Sequence, residues 1–224
     1  MNDHEVFMTT TFSVAARCEK TNSFGAIVTT SSPAVGARVI QCQSNTGIVL
    51  SQNMTDPRLA RIGLNTLHDR FDASSALRAM KAATPYPEYR QLAVVDRNGN
   101  SDAFTGENAF GPHAGQHCAK NVAAVGNYLS NPDIPKAMAE QYIHKDQLSL
   151  PDRLLDAIEV GFKLGGEVKD EKSIALVVYT DTTFPYIDLR VDYSDDPLTS
   201  MKELWEVWRN HADTYRQKAL NPNL

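Results

Sequence analysis

The sequence predicts an α+β fold, two antiparallel sheets lying between outer layers of helix, and three observations carry that expectation. Short β-branched runs arrive in neighbouring pairs joined by turn residues. Amphipathic helical runs arrive in pairs between them. Nowhere do single strands and single helices alternate as a parallel sheet requires. The resulting order is strands, two helices, strands, two helices, strands and a final helix.

The first strand is the stretch Thr9-Thr10-Thr11-Phe12-Ser13-Val14-Ala15-Ala16-Arg17. Period-two alternation sets Phe12, Val14 and Ala16 on one face, to be packed, and Thr9, Thr11, Ser13 and Ala15 on the other, where hydroxyls are presented. A polar break over residues 19–23 and an apolar run over 25–30 complete a hairpin, and β-branched runs follow over 38–42 and 46–50. Asp56-Pro57 opens a helix, Asp as the cap and Pro in the first turn, with Leu59, Ile62, Leu67 and Phe71 at helical spacing. Asp72 caps a second helix carrying Leu77 and Met80, which Pro85 and Pro87 end.

Residues 90–96 and 101–106 form a hairpin around Asn98-Gly99, because Asn-Gly supplies positive φ angles. A loop rich in Gly, Pro and His is expected over 107–116, then a strand over 121–129. Helices follow over 135–143 and 151–164; the second carries Leu154, Leu155, Ile158 and Phe162 on one face and stops at Gly165-Gly166. Strands over 173–179 and 186–191 precede one last helix from Asp196-Pro197 to Lys218, bearing Leu198, Met201, Leu204, Trp205 and Trp208. Residues 1–10 read as a leader and 11–224 as a single domain.

Bulk chemistry narrows the function classes. With 27 acidic against 22 basic residues, a net charge of -5 and no basic stripe, nucleic acid is not an expected partner. No run reaches the ~18 apolar residues of a membrane span, and Asp3 and Glu5 occupy the start, where a signal peptide needs positive charge. A cytoplasmic protein is expected. Cys18, Cys42 and Cys118 have no paired spacing and read as reduced thiols.

Most catalytic motifs are absent. His113 and His117 have a spacing that would share a helix face, but Gly111-Pro112 and Gly115 argue against a helix there and no Glu follows His113, so no metal is expected. No Gly-x-Ser-x-Gly elbow, phosphate loop or dinucleotide fingerprint occurs, and no cofactor is expected. Gly165-Gly166 reads as a helix stop rather than an anion nest, and Cys118 beside His117 would point away from it on a strand. The hydroxyls of the first strand remain. A Thr hydroxyl needs a base beside it, and one economical base is the freed α-amine of the same Thr; the plainer alternative is Thr as β-sheet filler.

Taken in order, Thr11-Phe12-Ser13-Val14-Ala15-Ala16-Arg17, Ala34-Val35-Gly36-Ala37, Gln52 with Thr55-Asp56-Pro57, Tyr89-Arg90-Gln91-Leu92, Phe104-Thr105-Gly106, Gly126-Asn127 and Asp188-Leu189-Arg190-Val191-Asp192 resemble the bacterial domain-of-unknown-function family 1028. The resemblance covers nearly the whole chain and implies an amino-terminal-nucleophile (Ntn) hydrolase-like fold, a four-layer αββα sandwich. It gives Thr11 the nucleophile's position, since members begin with Met directly before that Thr. This chain departs from the pattern at Cys18, Ser32, Gln116 and Val125, and it has no Lys between Lys20 and Lys81, where proteasome-type relatives place one near the nucleophile.

The expected site therefore gathers at one end of the sandwich. Thr11, Ser13 and Asn127 are its catalytic candidates, and Ser31, Ser32, Gln52, Thr55, Gln91 and Thr105 its substrate-binding ones, small hydroxyls and amides able to orient an amide or hold an oxyanion. The expected reaction is hydrolysis of a C–N bond in a small amide-like metabolite. Translation from Met8 followed by loss of that Met would make Thr9 the nucleophile instead. The competing expectation is a binding or assembly module that kept the sandwich without the chemistry. A homodimer is expected, because the last helix would expose Trp205 beside Trp208 and an aromatic patch often marks an interface; the plainer alternative places both tryptophans in the core.

Overall fold

The computed structural model describes residues 10–224, so Thr9 and the rest of the expected leader before Thr10 lie outside the described residues. Among the described residues, ten strands form two sheets, and every pairing is antiparallel. In chain order the strands are β1 (Thr11–Cys18), β2 (Ser23–Thr30), β3 (Ile40–Gln43), β4 (Gly47–Asn53), β5 (Arg90–Asp96), β6 (Ser101–Thr105), β7 (His113–Ala119), β8 (Val122–Leu129), β9 (Ser173–Tyr179) and β10 (Ile187–Val191). The larger sheet runs β10-β9-β2-β1-β8-β7 and the smaller β3-β4-β5-β6. The helices are α1 (Pro57–His68), α2 (Ala73–Ala82), α3 (Ile134–His144), α4 (Leu150–Lys163), α5 (Pro197–Trp208) and α6 (Ala212–Leu220).

The alternation of β1 settles the layering. Phe12, Val14 and Ala16 pack with Met138, Leu154 and Ile158 of α3 and α4, the Phe12 ring meeting Phe162 edge-on at 5.4 Å. Ala15 faces the other way and joins Ala26 and Val28 of β2 against Leu50, Ala93 and Val95 of the smaller sheet. That sheet's outer face carries Val49, Leu92 and Val94 and is covered by Leu59, Leu67 and Met80 of α1 and α2. Helices thus cover the outer face of each sheet, and Phe12, fully buried, contributes about 2 kcal/mol of apolar burial.

Local signals start the helices as expected. Asp56 accepts from Arg58 N at 3.1 Å above Pro57, and Asp72 accepts from Ser75 N at 2.8 Å. Gly165 and Gly166, at φ +107° and +58°, end α4 as a helix stop, the Gly166 N–H reaching back to Gly161 O at 3.0 Å.

Four expectations are corrected. Residues 113–119 are an edge strand, β7, where a loop over 107–116 was expected. An edge strand packs only one face, so His113, Gly115, His117 and Ala119 alternate with exposed neighbours and need no apolar run. The last helix is two, because the Asn210 side chain donates to Glu206 O at 3.0 Å and competes for the carbonyl that would continue α5. Phe71 lies past the end of α1 and is exposed. Trp205 is not a surface residue: it is 5% exposed, and its indole N–H donates to Asp152 at 2.8 Å. Among the described residues, no helix is long and apolar enough to cross a membrane.

Candidate functional site

Two polar clusters meet at the start of β1, one between the sheets and one at the strand's entry. On the face toward the smaller sheet, Thr11 stands opposite Asn127 across the β1–β8 ladder, with Ser13 one step along. The smaller sheet answers with Gln52 opposite Gln91, and Gln91 opposite Thr105. The period of two turns all of these inward, the same rule that turns Leu50, Ala93 and Ala103 inward.

Gln91 is the hub. Its amide oxygen accepts from Gln52 Nε2 at 2.8 Å and from Asn127 Nδ2 at 3.0 Å, while its nitrogen donates to Thr105 Oγ1 and Gly126 O, both at 2.9 Å, and to Gly115 O at 3.1 Å. Ser13 Oγ donates to Gln52 Oε1, and Gln52 Nε2 also donates to Thr11 O at 3.2 Å. Thr105 Oγ1 donates to Gln116 Oε1 at 2.7 Å. Ser13, Gln52, Gln91 and Asn127 are fully buried, so each amide needs these partners. One atom lacks a partner: Asn127 Oδ1 meets no donor among the described residues.

The second cluster lies at the strand's entry, where Thr10 precedes β1 and Thr30 ends β2. Thr10 Oγ1 lies 2.5 Å from Ser31 Oγ and donates to Glu167 Oε2, which also accepts from Ser31 N at 3.0 Å. The Thr10 carbonyl accepts from Thr11 Oγ1 at 2.5 Å and also from Thr30 Oγ1. The Thr30 hydroxyl lies 3.2 Å from that of Ser32, and Arg38 donates to Ser32 Oγ at 2.6 Å. Glu167 is 5% exposed, its Oε1 has no partner among the described residues, and its backbone N–H donates to Glu171 Oε1 at 2.8 Å. Burial pushes the Glu167 carboxyl up to about 8; the nearby Glu171 adds to the rise, while the Thr10 hydroxyl and Ser31 oppose it.

The structure thus brings Thr11, Ser13, Gln52, Gln91, Thr105 and Asn127 into one network, and places Ser31 and Ser32 around Thr10 and Thr30 instead. Thr55 joins neither; among the described residues its side chain makes a 3.4 Å contact to Asn53 O. Sequence reasoning assigns no role in the site to Thr10, Thr30, Gln116 or Glu167. Glu167 is delivered to the site by the Gly165-Gly166 helix stop, and that stop is its sole local signal. His113 and His117 stand on β7, with Cys118 on the strand's opposite face.

A peptide carbonyl gripped by two hydroxyls is a polarised electrophile, one of those hydroxyls belongs to the next residue, and a neutral acid lies within one hydrogen bond of Thr10. No curated protein matches the chain. Among solved structures, a crystal structure of a protein from Silicibacter pomeroyi, itself described as a DUF1028 protein, is similar with a TM-score of 0.81 and 28% sequence identity, covering 89% of this chain and 89% of that one. The family described as being of unknown function, DUF1028, matches residues 11–201, a span that opens on Thr11 and takes in both clusters, and the chain belongs to that family.

Proposed function

We propose that the chain is a hydrolase of the amino-terminal-nucleophile kind, with an Ntn-hydrolase-like αββα sandwich, that cleaves a C–N bond in a small amide-like metabolite with Thr11 as nucleophile. The observation that carries this reading is the Thr10 carbonyl, held by the hydroxyls of Thr11 and Thr30. Scission there unmasks the nucleophile. Thr11 Oγ bonds to the Thr10 carbonyl carbon, the C–N bond breaks, and the nitrogen leaves as the Thr11 α-amine with the hydroxyl proton. Water then hydrolyses the ester, giving a carboxylate on Thr10 and restoring the Thr11 hydroxyl.

The freed amine has an ordinary pKa of about 7.7–8.0, suited to take the hydroxyl proton in each later turnover near neutrality. Asn127 Oδ1, buried opposite Thr11 without a donor, suits an N–H of that amine. The Asn127 Nδ2 already donates to Gln91, so the Thr30 hydroxyl is the better placed donor to a developing oxyanion.

Intact mass tests this directly. A product beginning at Thr11 is expected, and a product beginning at Thr9 would move the nucleophile two residues upstream. The Thr11→Ala variant, compared with wild type on a panel of small amides, should be inert; equal turnover by the two proteins excludes Thr11. The binding-module reading draws on a different observation, the mutual pairing of Gln52, Gln91 and Asn127 in a dry interior. An intact leader in the purified protein would favour it. For either reading we propose a cytoplasmic protein whose partner is a small molecule. The homodimer we propose now rests on the exposed Tyr215 beside Trp208, whose ring centroids are 5.5 Å apart and of which Trp208 is partly buried against the core; a monomeric mass by light scattering would remove it.

A further inference from the structure

Thr10 sits in a slot defined by named groups: its carbonyl is held by Thr11 and Thr30, and its hydroxyl by Ser31 and Glu167. The slot keeps hydrogen-bonding capacity in reserve, because Glu167 Oε1 is buried with no partner among the described residues. An unpaired buried polar atom of this kind costs about 1–3 kcal/mol, which a ligand able to reach it would recover. Beside Ser31 a depression of about 450 Å³, lined also by Val168, Lys169, Asp170 and Lys172, gives room for approach from solvent.

The same Thr11 hydroxyl must meet two carbonyls, first that of Thr10 and later that of the substrate. The groups that hold the first are therefore in place for the second, and whatever grips the Thr10 side chain reads the atoms next to the substrate's carbonyl. We infer that the slot of Thr10 is the acyl subsite, and that Glu167 with Ser31 selects amides whose acyl group carries a hydroxyl on the carbon β to the carbonyl, as Thr10 itself does. This rests on Thr11 being the nucleophile.

The chemistry of the slot supports a hydroxyl over an ammonium. With burial holding its carboxyl at about 8, Glu167 is mainly the neutral acid near pH 7 and takes a neutral hydroxyl without burying a net charge. The charged neighbour facing it is Glu171, another acid, and the slot holds no cation partner for Glu167 among its hydrogen bonds. In turnover, Thr11 Oγ bonds to the acyl carbon, the C–N bond breaks, and the amine leaves with the proton relayed by the Thr11 α-amine. Water then releases the acyl group as a 3-hydroxy acid.

The test compares kcat/KM for 3-hydroxybutanamide and butanamide with the purified full-length chain after its own scission. A preference of about tenfold for the hydroxyamide is expected, the worth of one hydrogen bond to a buried polar group. Glu167→Leu should bring the ratio close to one, Ser31→Ala should lower it part of the way, and Glu167→Gln, which can still accept from and donate to a hydroxyl, should preserve it. Should Glu167→Leu fail to fold, Ser31→Ala still decides. Equal rates on the two amides, or an unchanged ratio in Ser31→Ala and Glu167→Leu, overturn the subsite while leaving the nucleophile intact. Hydrolysis of neither amide, nor of any other on the panel, overturns the Thr11 reading and this inference with it.

Discussion

The two polar clusters at the start of β1 differ in how completely they satisfy themselves. Between the sheets, Ser13, Gln52, Gln91 and Thr105 spend their hydrogen bonds on one another, on the Gln116 and Asn127 side chains or on backbone carbonyls, and Asn127 keeps one oxygen without a partner among the described residues. Around Thr10, a buried acid keeps an unpaired oxygen and a peptide carbonyl is crowded by hydroxyls. A saturated network holds two sheets in register; an unsaturated one has something left to bind or move. The boundary between them runs through Thr11, whose carbonyl belongs to the first cluster and whose hydroxyl belongs to the second.

The largest test of that division is Thr11→Ala. Turnover on small amides should fall by at least about 10³-fold, with scission lost, while the thermal midpoint barely moves, because the Thr11 carbonyl stays with Gln52. A large drop in stability would place the Thr11 hydroxyl in the structural cluster instead.

Next comes Gln91→Leu, which strands the Gln52 and Asn127 amides in a dry interior and should cost about 2–4 kcal/mol in a urea titration. Loss of less than about 1 kcal/mol would mean that the network is not what locks the sheets.

Glu167 supplies a pH signature. Its carboxyl is raised from an ordinary 4.5 to about 8, so the folded state holds a proton that the unfolded state releases. Its contribution to stability is complete below pH 4.5, is lost progressively as the pH rises, and levels off above about 8. Glu167→Gln removes that slope, so the variant should gain on wild type between pH 5 and pH 8 in chemical denaturation. Parallel curves would mean that Glu167 is already ionised in the folded protein. The smallest effect is assigned to Thr55→Ala, outside both clusters, which should change stability by less than about 0.5 kcal/mol and leave turnover unaffected.

The legible parts of the molecule are those whose signal is local. The alternation of Phe12, Val14 and Ala16 fixed the faces of β1, and the caps Asp56 and Asp72 fixed the starts of α1 and α2. Gln52, Gln91, Thr105 and Asn127 were readable as polar residues at the ends of otherwise apolar strands. β7 was hidden because an edge strand built from His, Ala, Gly and Gln has the composition of a loop. Glu167 was hidden for a stronger reason, since the Gly165-Gly166 stop before it marks a helix end and not an acid's role, and its partner Thr10 is 157 residues away. Trp205 was misplaced because a helix face of Trp and Leu looks the same whether the core or a partner covers it.

That separation along the chain has a consequence for timing. The groups that grip the Thr10 carbonyl and hydroxyl come from the end of β2 and from the segment beyond α4, and they converge only when the larger sheet has closed around β1. β1 itself begins its ladder at Thr11, so cutting the chain before that residue sacrifices no rung. A nascent or misfolded chain, with Thr30 and Glu167 elsewhere, keeps its threonine masked. Under the proposed chemistry the molecule certifies its own folding: the catalyst is switched on by completion of the architecture that will use it, and a chain that fails to assemble stays chemically silent.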